Sequence, residues 1–295
     1  MQMYGMSGEQ LGVIGQEQNT SPEKLPAWKQ DFLAKPSASV RRGIAWGYNP
    51  PYEDTDTLVL TAPSGEFVDI RFPKDATSSQ ETLGHQSFWA FSGEAITTFY
   101  DAGPQQHAVD MPYTAHCKFL HNIDSRGGES IARGDVGDMF LLMNGDCVEM
   151  GKVLNPMSGQ IELYKEMWCS AEELSDHDGE DDSTTCVVAH VSGPTGIEGT
   201  MIRLGGRVQG ITARHDQKGT QIVEVERWIR GGSHQVKPKQ HDREDVSAGP
   251  WCRDNRSSGF LPAGWLSMPG RQIGVRLERD GLVWQVTEVH RSGSE

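Results

Sequence analysis

From Arg42 onward the sequence breaks into short runs of β-branched and alternating residues, each closed by Gly, Pro, Asp or Asn, and none carries an apolar stripe of helical period. The runs are Thr57–Thr61, Phe67–Phe72, Phe88–Phe91, His116–Ile123, Met139–Met143, Cys147–Val153 and Ile161–Trp168, then Cys186–Val191, Gly199–Leu204, Arg207–Ala213, Gln221–Ile229, Gln272–Glu278 and Leu282–His290. Short strands with turn signals at regular spacing predict an all-β fold, because a parallel sheet would need long amphipathic helices between its strands. Closing such strands into barrels also removes the exposed edges that a sheet of this kind would otherwise carry. A chain of 295 residues is long enough for two such units, so two consecutive antiparallel β-barrels are expected.

The boundary between them is written in charge. Seven of the eleven residues from Glu172 to Asp182 are acidic and none is basic, a stretch that repels itself and cannot pack as core. The expected division is a loose arm over 1–41, with a helical turn around Leu25–Phe32, a first barrel over 42–171, an acidic linker over 172–184 and a second barrel over 185–295. An internal echo fits duplication. Gly151-Lys152-Val153 leads to a strand ending at Trp168, and Gly206-Arg207-Val208 leads to one ending at Trp228.

Composition narrows the partners. Against 27 Lys and Arg stand 41 Asp and Glu, a net charge of −14 whose field repels nucleic acid and anionic lipid. A basic protein partner at the acidic linker is compatible with that field. No run approaches the roughly 20 apolar residues that span a bilayer, and the first residues lack a signal-peptide pattern, so the expected location is the cytoplasm. Cys117, Cys147, Cys169, Cys186 and Cys252 form no C-x-x-C pair and are expected as free thiols. His215, His234 and His241 are too widely spaced for a local ligand set, so no metal is expected. Phosphate-loop, dinucleotide and nucleophile-elbow patterns are missing as well, and no cofactor is expected.

Several segments, in order, resemble the first domain of the fungal Hri protein family, small two-barrel proteins with lipocalin-like folds. They are Thr57–Thr61 followed by Phe67–Arg71, then Trp89-Ala90-Phe91-Ser92-Gly93, then His121-Asn122-Ile123-Asp124-Ser125-Arg126. Gly137-Asp138-Met139 and the stretch from Gly151 through Asn155-Pro156 to Glu166-Met167-Trp168 complete the set. The second half resembles the family through Glu226-Arg227-Trp228 and Val283-Trp284-Gln285-Val286. Phe119 where the family has tryptophan, Glu94 at a small polar position and the long 231–258 insertion mark a specialised relative. The resemblance implies lipocalin-like barrels and a binding protein more than a defined enzyme class.

The densest grouping of reactive side chains is His116, His121, Asp124 and Arg126, with Asp138 joining if the next strand pairs back. Strict alternation separates His121 from Asp124, and a bend after Ile123 would reunite them. Joined, they make an imidazole oriented by a carboxylate, a general acid or base. The competing reading is a network at the barrel end, with Asp124 capping a turn and Arg126 in a salt bridge. Glu94 beside Trp89 and Phe91 is a second candidate proton donor if the aromatic wall desolvates it, and a solvated strand end if not. Trp89, Phe91, His116, Phe119, Asp138 and Trp168 are the expected binding residues. In the strand from Ile161, alternation puts Glu162, Tyr164 and Glu166 on one face and Ile161, Leu163 and Lys165 on the other, so a polar lumen is conceivable.

The expected function is binding of a hydrophobic small molecule in a barrel and its cofactor-free rearrangement, as an isomerase, cyclase or lyase of fungal secondary metabolism with catalytic His121, Asp124, Arg126 and Glu94. The alternative is a non-catalytic binding or protein-interaction protein, as the resemblance implies.

Overall fold

The computed structural model describes residues 32, 35–74, 88–99, 114–127, 134–142, 144–155, 157–171, 185–193, 196–230, 251–253, 261–266, 268, 270–279 and 281–291. The acidic linker at 172–184, most of the arm, and His234 and His241 lie outside these residues.

Eight antiparallel strands close the first barrel: β1 (Ser37–Trp46), β2 (Thr55–Thr61), β3 (Glu66–Pro73), β4 (Trp89–Phe99), β5 (Thr114–Asp124), β6 (Asp135–Leu141), β7 (Cys147–Leu154) and β8 (Ile161–Ser170). They pair in chain order, and β8 returns to β1. Two expectations need adjustment. β1 begins at Ser37, within the stretch read as arm, and β4 runs on to Phe99, where alternating Gly, Glu, Ala and Thr carried too little apolar signal to be read as strand.

The second half forms one antiparallel sheet from β9 (Cys186–Ser192), β10 (Glu198–Leu204), β11 (Arg207–His215), β12 (Gln221–Arg230), β13 (Trp251–Arg253), β14 (Arg276–Arg279) and β15 (Leu282–His290). Its order is β13-β12-β11-β10-β9-β15-β14, open at both ends among the described strands, where a second closed barrel was expected. Packing gives the reason. One face is covered by the segment 261–266, including helix α1 (Ala263–Leu266), over Val187, Met201, Val208 and Trp228. The other face lies on the outer wall of the first barrel, so neither needs closure to be dry.

That second contact is the main core of the molecule. Leu58, Leu60, Val68, Ile70 and Phe72 point out of the barrel from β2 and β3 and pack against Cys186, Val188, Ile202, Ile211, Val223 and Val225. Polar side chains also cross the seam, Gln209 and Arg227 from its buried part. Gln209 Nε2 donates to the carbonyls of Leu58 at 2.9 Å and Val68 at 2.7 Å, and Arg227 donates to the carbonyl of Ile70 at 2.8 Å and pairs with Asp56 at 3.1 Å. The side chains that alternate with this apolar set therefore point inward.

Candidate functional site

Inside the barrel, β3 contributes Phe67, Asp69 and Arg71, and β4 contributes Trp89 and Phe91. The partners of β4 on β5 run Phe91 with Asp124, Ser92 with Ile123, then Gly93 with His121. Asn122 is thus an extra residue, a β-bulge that shifts the parity of the strand. Because of it His121 and Asp124, three apart, both face the lumen. Gly93 permits the close approach, since a Cβ there would meet the Leu120 carbonyl oxygen at 1.7 Å. The bend expected after Ile123 is in fact this bulge, one residue earlier.

His121 and Asp124 form a fully buried pair, Nδ1 to Oδ2 at 3.1 Å. Trp89 Nε1 donates to the other Asp124 oxygen at 3.2 Å, and the Arg126 main-chain N–H donates to it at 2.8 Å. Asp124 thus both orients the imidazole and caps the turn, the two roles that the sequence left as alternatives. The imidazole stacks on Phe91, ring centroids 4.4 Å apart, and meets the edge of Phe67. With Nδ1 fixed, Nε2 is buried and has no hydrogen-bond partner among the described residues. It faces Asp135 at 3.6 Å, and Asp135 reaches solvent with 28% of its side chain exposed. Burial raises the Asp135 carboxyl above the ordinary range, against the opposing pull of His121 and Arg71.

Trp89 carries two guanidiniums, Arg126 at 3.8 Å and Arg71 at 4.4 Å from its ring centroid. Arg71 leads into a charged network that fills the rest of the lumen. It pairs with Asp69 at 2.7 Å and approaches Glu166 at 3.6 Å, while Arg41 pairs with Glu166 at 2.5 Å and Glu53 at 2.8 Å. Burial pulls the Arg71 guanidinium down, but Asp69 and Glu166 more than offset it and hold it above its usual range. Glu149 accepts from Tyr164 Oη at 2.6 Å and Trp168 Nε1 at 3.0 Å. Burial, with the neighbouring Glu166 charge, pushes its carboxyl up to about 7. Gly137, in the Gly-Asp-Met segment, leaves room for this carboxylate, because a Cβ there would meet Glu149 Oε1 at 2.6 Å.

The expected site residues divide. His121, Asp124, Trp89, Phe91, Phe119 and Trp168 belong to the lumen, and Arg126 closes its end over Trp89. His116 and Asp138 do not join them. They pair with each other at 2.9 Å on the outer wall, with 36% and 50% of their side chains exposed. Glu94 lies on the exposed face of β4, so the aromatic wall does not desolvate its carboxylate. Arg41, Asp69, Arg71, Asp135, Glu149 and Tyr164 were missed as site residues. For Asp69, Arg71 and Tyr164 the signal was the polar register of β3 and β8, whose direction, inward or outward, a single strand leaves open.

Beside the bulge a cleft of about 380 Å³ lies between the barrel and the second sheet, lined by His121, Asn122, His190, Glu198 and Thr200. The His121 side chain is fully buried, so this cleft does not open onto the imidazole. Among the described residues there is no group of three or more His, Cys, Asp or Glu placed to hold a metal ion, and no helix is long and apolar enough to cross a membrane.

The family profile described as Protein HRI1 matches residues 37–288 of this chain. The crystal structure of an uncharacterized protein from Saccharomyces cerevisiae, YLR301w, is similar in fold with a TM-score of 0.61 and 16% sequence identity, covering 86% of this chain and 99% of that one. No curated protein matches in sequence.

Proposed function

The chain belongs to the HRI1 protein family, and from that premise and the site above we propose that its barrel binds a small molecule at the end formed by Trp89, Phe91, His121 and Asp135 and moves a proton on it without a cofactor. The observation that carries this reading is the state of His121. One ring nitrogen is fixed by Asp124, and the other is buried, unpartnered among the described residues and aimed at a carboxylate that reaches solvent. A buried polar atom without a partner costs about 1–3 kcal/mol, a cost that a ligand hydroxyl donating to Nε2 would relieve. Asp124 sets the tautomer, so Nε2 is the atom that accepts a proton, and Asp135 offers a path for it to water. The aromatic rings favour a flat or conjugated ligand body, and Arg126 over Trp89 favours a ligand with an electron-rich group at the mouth.

The rest of the lumen supports a second reading, a non-catalytic binding or interaction protein. Arg41, Arg71, Asp69, Glu53 and Glu166 satisfy one another, which is what a structural interior requires. One experiment separates the two. Ring-nitrogen NMR of the full chain, titrated with a panel of small phenols and hydroxyl-bearing aromatic ketones and lactones, should move the His121 Nε2 resonance for at least one compound. His121→Gln should then abolish that binding, lower any turnover about 10²–10⁴-fold and leave the melting temperature near wild type. No shift with any compound, together with a His121→Gln variant that loses only stability, would establish the structural reading instead.

A further inference from the structure

The first barrel carries apolar side chains on more than one side of its outer wall. The wall of β2 and β3 lies under the second sheet, whereas the wall formed by β6, β7 and β8 on another side has no cover among the described residues. Its pairing gives a grid. Phe140, Val148 and Met167 form one row and Asp138, Met150 and Lys165 the next. Beyond them Lys152 lies opposite Leu163, and Leu154 opposite Ile161. These side chains alternate with the buried Glu149, Tyr164, Glu166 and Trp168, so they share the outer face. Ile161 is 68% exposed, Leu154 58%, Leu163 50% and Val136, on the same wall, 42%. Contiguous apolar surface of this kind on a protein of high charge marks a contact site rather than random exposure.

We propose that this wall is the interface between two copies of the chain, stacked face to face about a two-fold axis that runs along β7. The charges select this occupant. In the row of Asp138, Met150 and Lys165 the acid and the base lie at opposite ends, two strand spacings or about 10 Å apart, too far to pair within one chain. A two-fold along the middle strand exchanges β6 with β8, and so lays Asp138 on the partner's Lys165 and the reverse. The same rotation sets Met150 and Val148 against their own copies and brings Phe140 over the partner's Met167. The arrangement leaves Lys152 near the axis, where its stem covers apolar surface and its ammonium turns to the rim. The His116 ring beside Asp138 adds a donor at the edge of the same row. Three strands offer a modest area, so the association is of the weak, concentration-dependent kind.

Sedimentation equilibrium of the full chain over a concentration series is the test. The wild type should reach a monomer–dimer equilibrium, and Leu163→Glu should weaken dimerisation about tenfold or more while the melting temperature stays unchanged. Asp138→Lys and Lys165→Asp should each weaken it, and the double swap should restore it, because the reversed pair can form only between copies. A chain that stays monomeric at every concentration would overturn the proposal. So would a dimer indifferent to Leu163→Glu, or one that both single swaps weaken and the double swap does not rescue.

Discussion

The lumen of the first barrel and the core it shares with the second sheet are built from the same strands, and they obey opposite rules. On β3 the residues Val68, Ile70 and Phe72 enter an apolar core, and the residues between them, Asp69 and Arg71, enter an ion-pair network. A barrel standing alone would place its apolar register inside, since burial of apolar area is its main source of stability. This barrel turns that register outward because a second sheet is there to cover it. The inside is then free to hold charge, provided that each charge has a partner.

The two regions should therefore respond differently to truncation. Arg71→Ala removes the cation between Asp69 and Glu166 and leaves the buried Asp69 carboxylate without its counter-charge, while Glu166 keeps Arg41, a loss of about 3–5 kcal/mol by analogy with broken buried ion pairs. Replacing the same side chain by Met should cost less than Ala, since the volume is kept. Denaturant unfolding that shows the two variants equal would mean that the lumen responds to charge rather than volume. In the shared core, Ile70→Ala creates an apolar cavity at a fully buried position and should cost about 2–4 kcal/mol. Because Ile70 packs on the second sheet, its loss should move one common transition for both halves. Two separate transitions, with only the first displaced, would show that the seam is not a shared core. By the same packing, fragments cut between 172 and 184 should remain associated until denaturant is added.

How much of this was legible in the sequence differs between the same two regions. Strand positions were readable because β-branched runs and turn residues act locally. Val68 and Ile70 could be recognised as buried, but not as buried outside the barrel, because nothing in a single strand says which face another sheet will cover. The site followed the same pattern. His121 and Asp124 were singled out as residue types, yet strict alternation separated them, and the bulge at Asn122 depends on a cross-strand register set by Gly93 on β4. His116 and Asp138 failed for the converse reason. They do pair, across β5 and β6, but the register that pairs them also turns them outward. Tyr164 and Glu166 were placed on one face correctly, and only the covering of the opposite wall could show that theirs was the inner one.

The smallest expected effect is the most specific to the lumen, because it depends on proton uptake rather than packing. Glu149 is held with its carboxyl at about 7, above its ordinary value of 4.5, chiefly by burial and next by the charge of Glu166. Its raised value reverses the usual acid-group behaviour. Between about 4.5 and 7 the folded protein binds a proton on Glu149 that the unfolded chain has released, so folding is favoured by that proton below the lower value. The contribution is lost as pH rises through about 7. In Glu149→Gln the slope disappears. The amide oxygen can accept from Trp168, and the amide N–H₂ can donate to the Tyr164 hydroxyl, which rotates to accept, so the packing survives. The variant should therefore match the wild type near pH 4.5 and exceed it by about 1–3 kcal/mol near pH 8, read as the difference between two urea-unfolding series. That difference curve excludes groups that titrate alike in both proteins, Glu53 among them, whose carboxyl is lowered by Arg41 and Thr55 against its burial and which acts in the opposite direction at low pH. A flat difference across the range would place water around Glu149. A difference of opposite sign would mean that its charge is needed by Arg71, and that the lumen is held together by its full set of ion pairs rather than by a neutral Glu149.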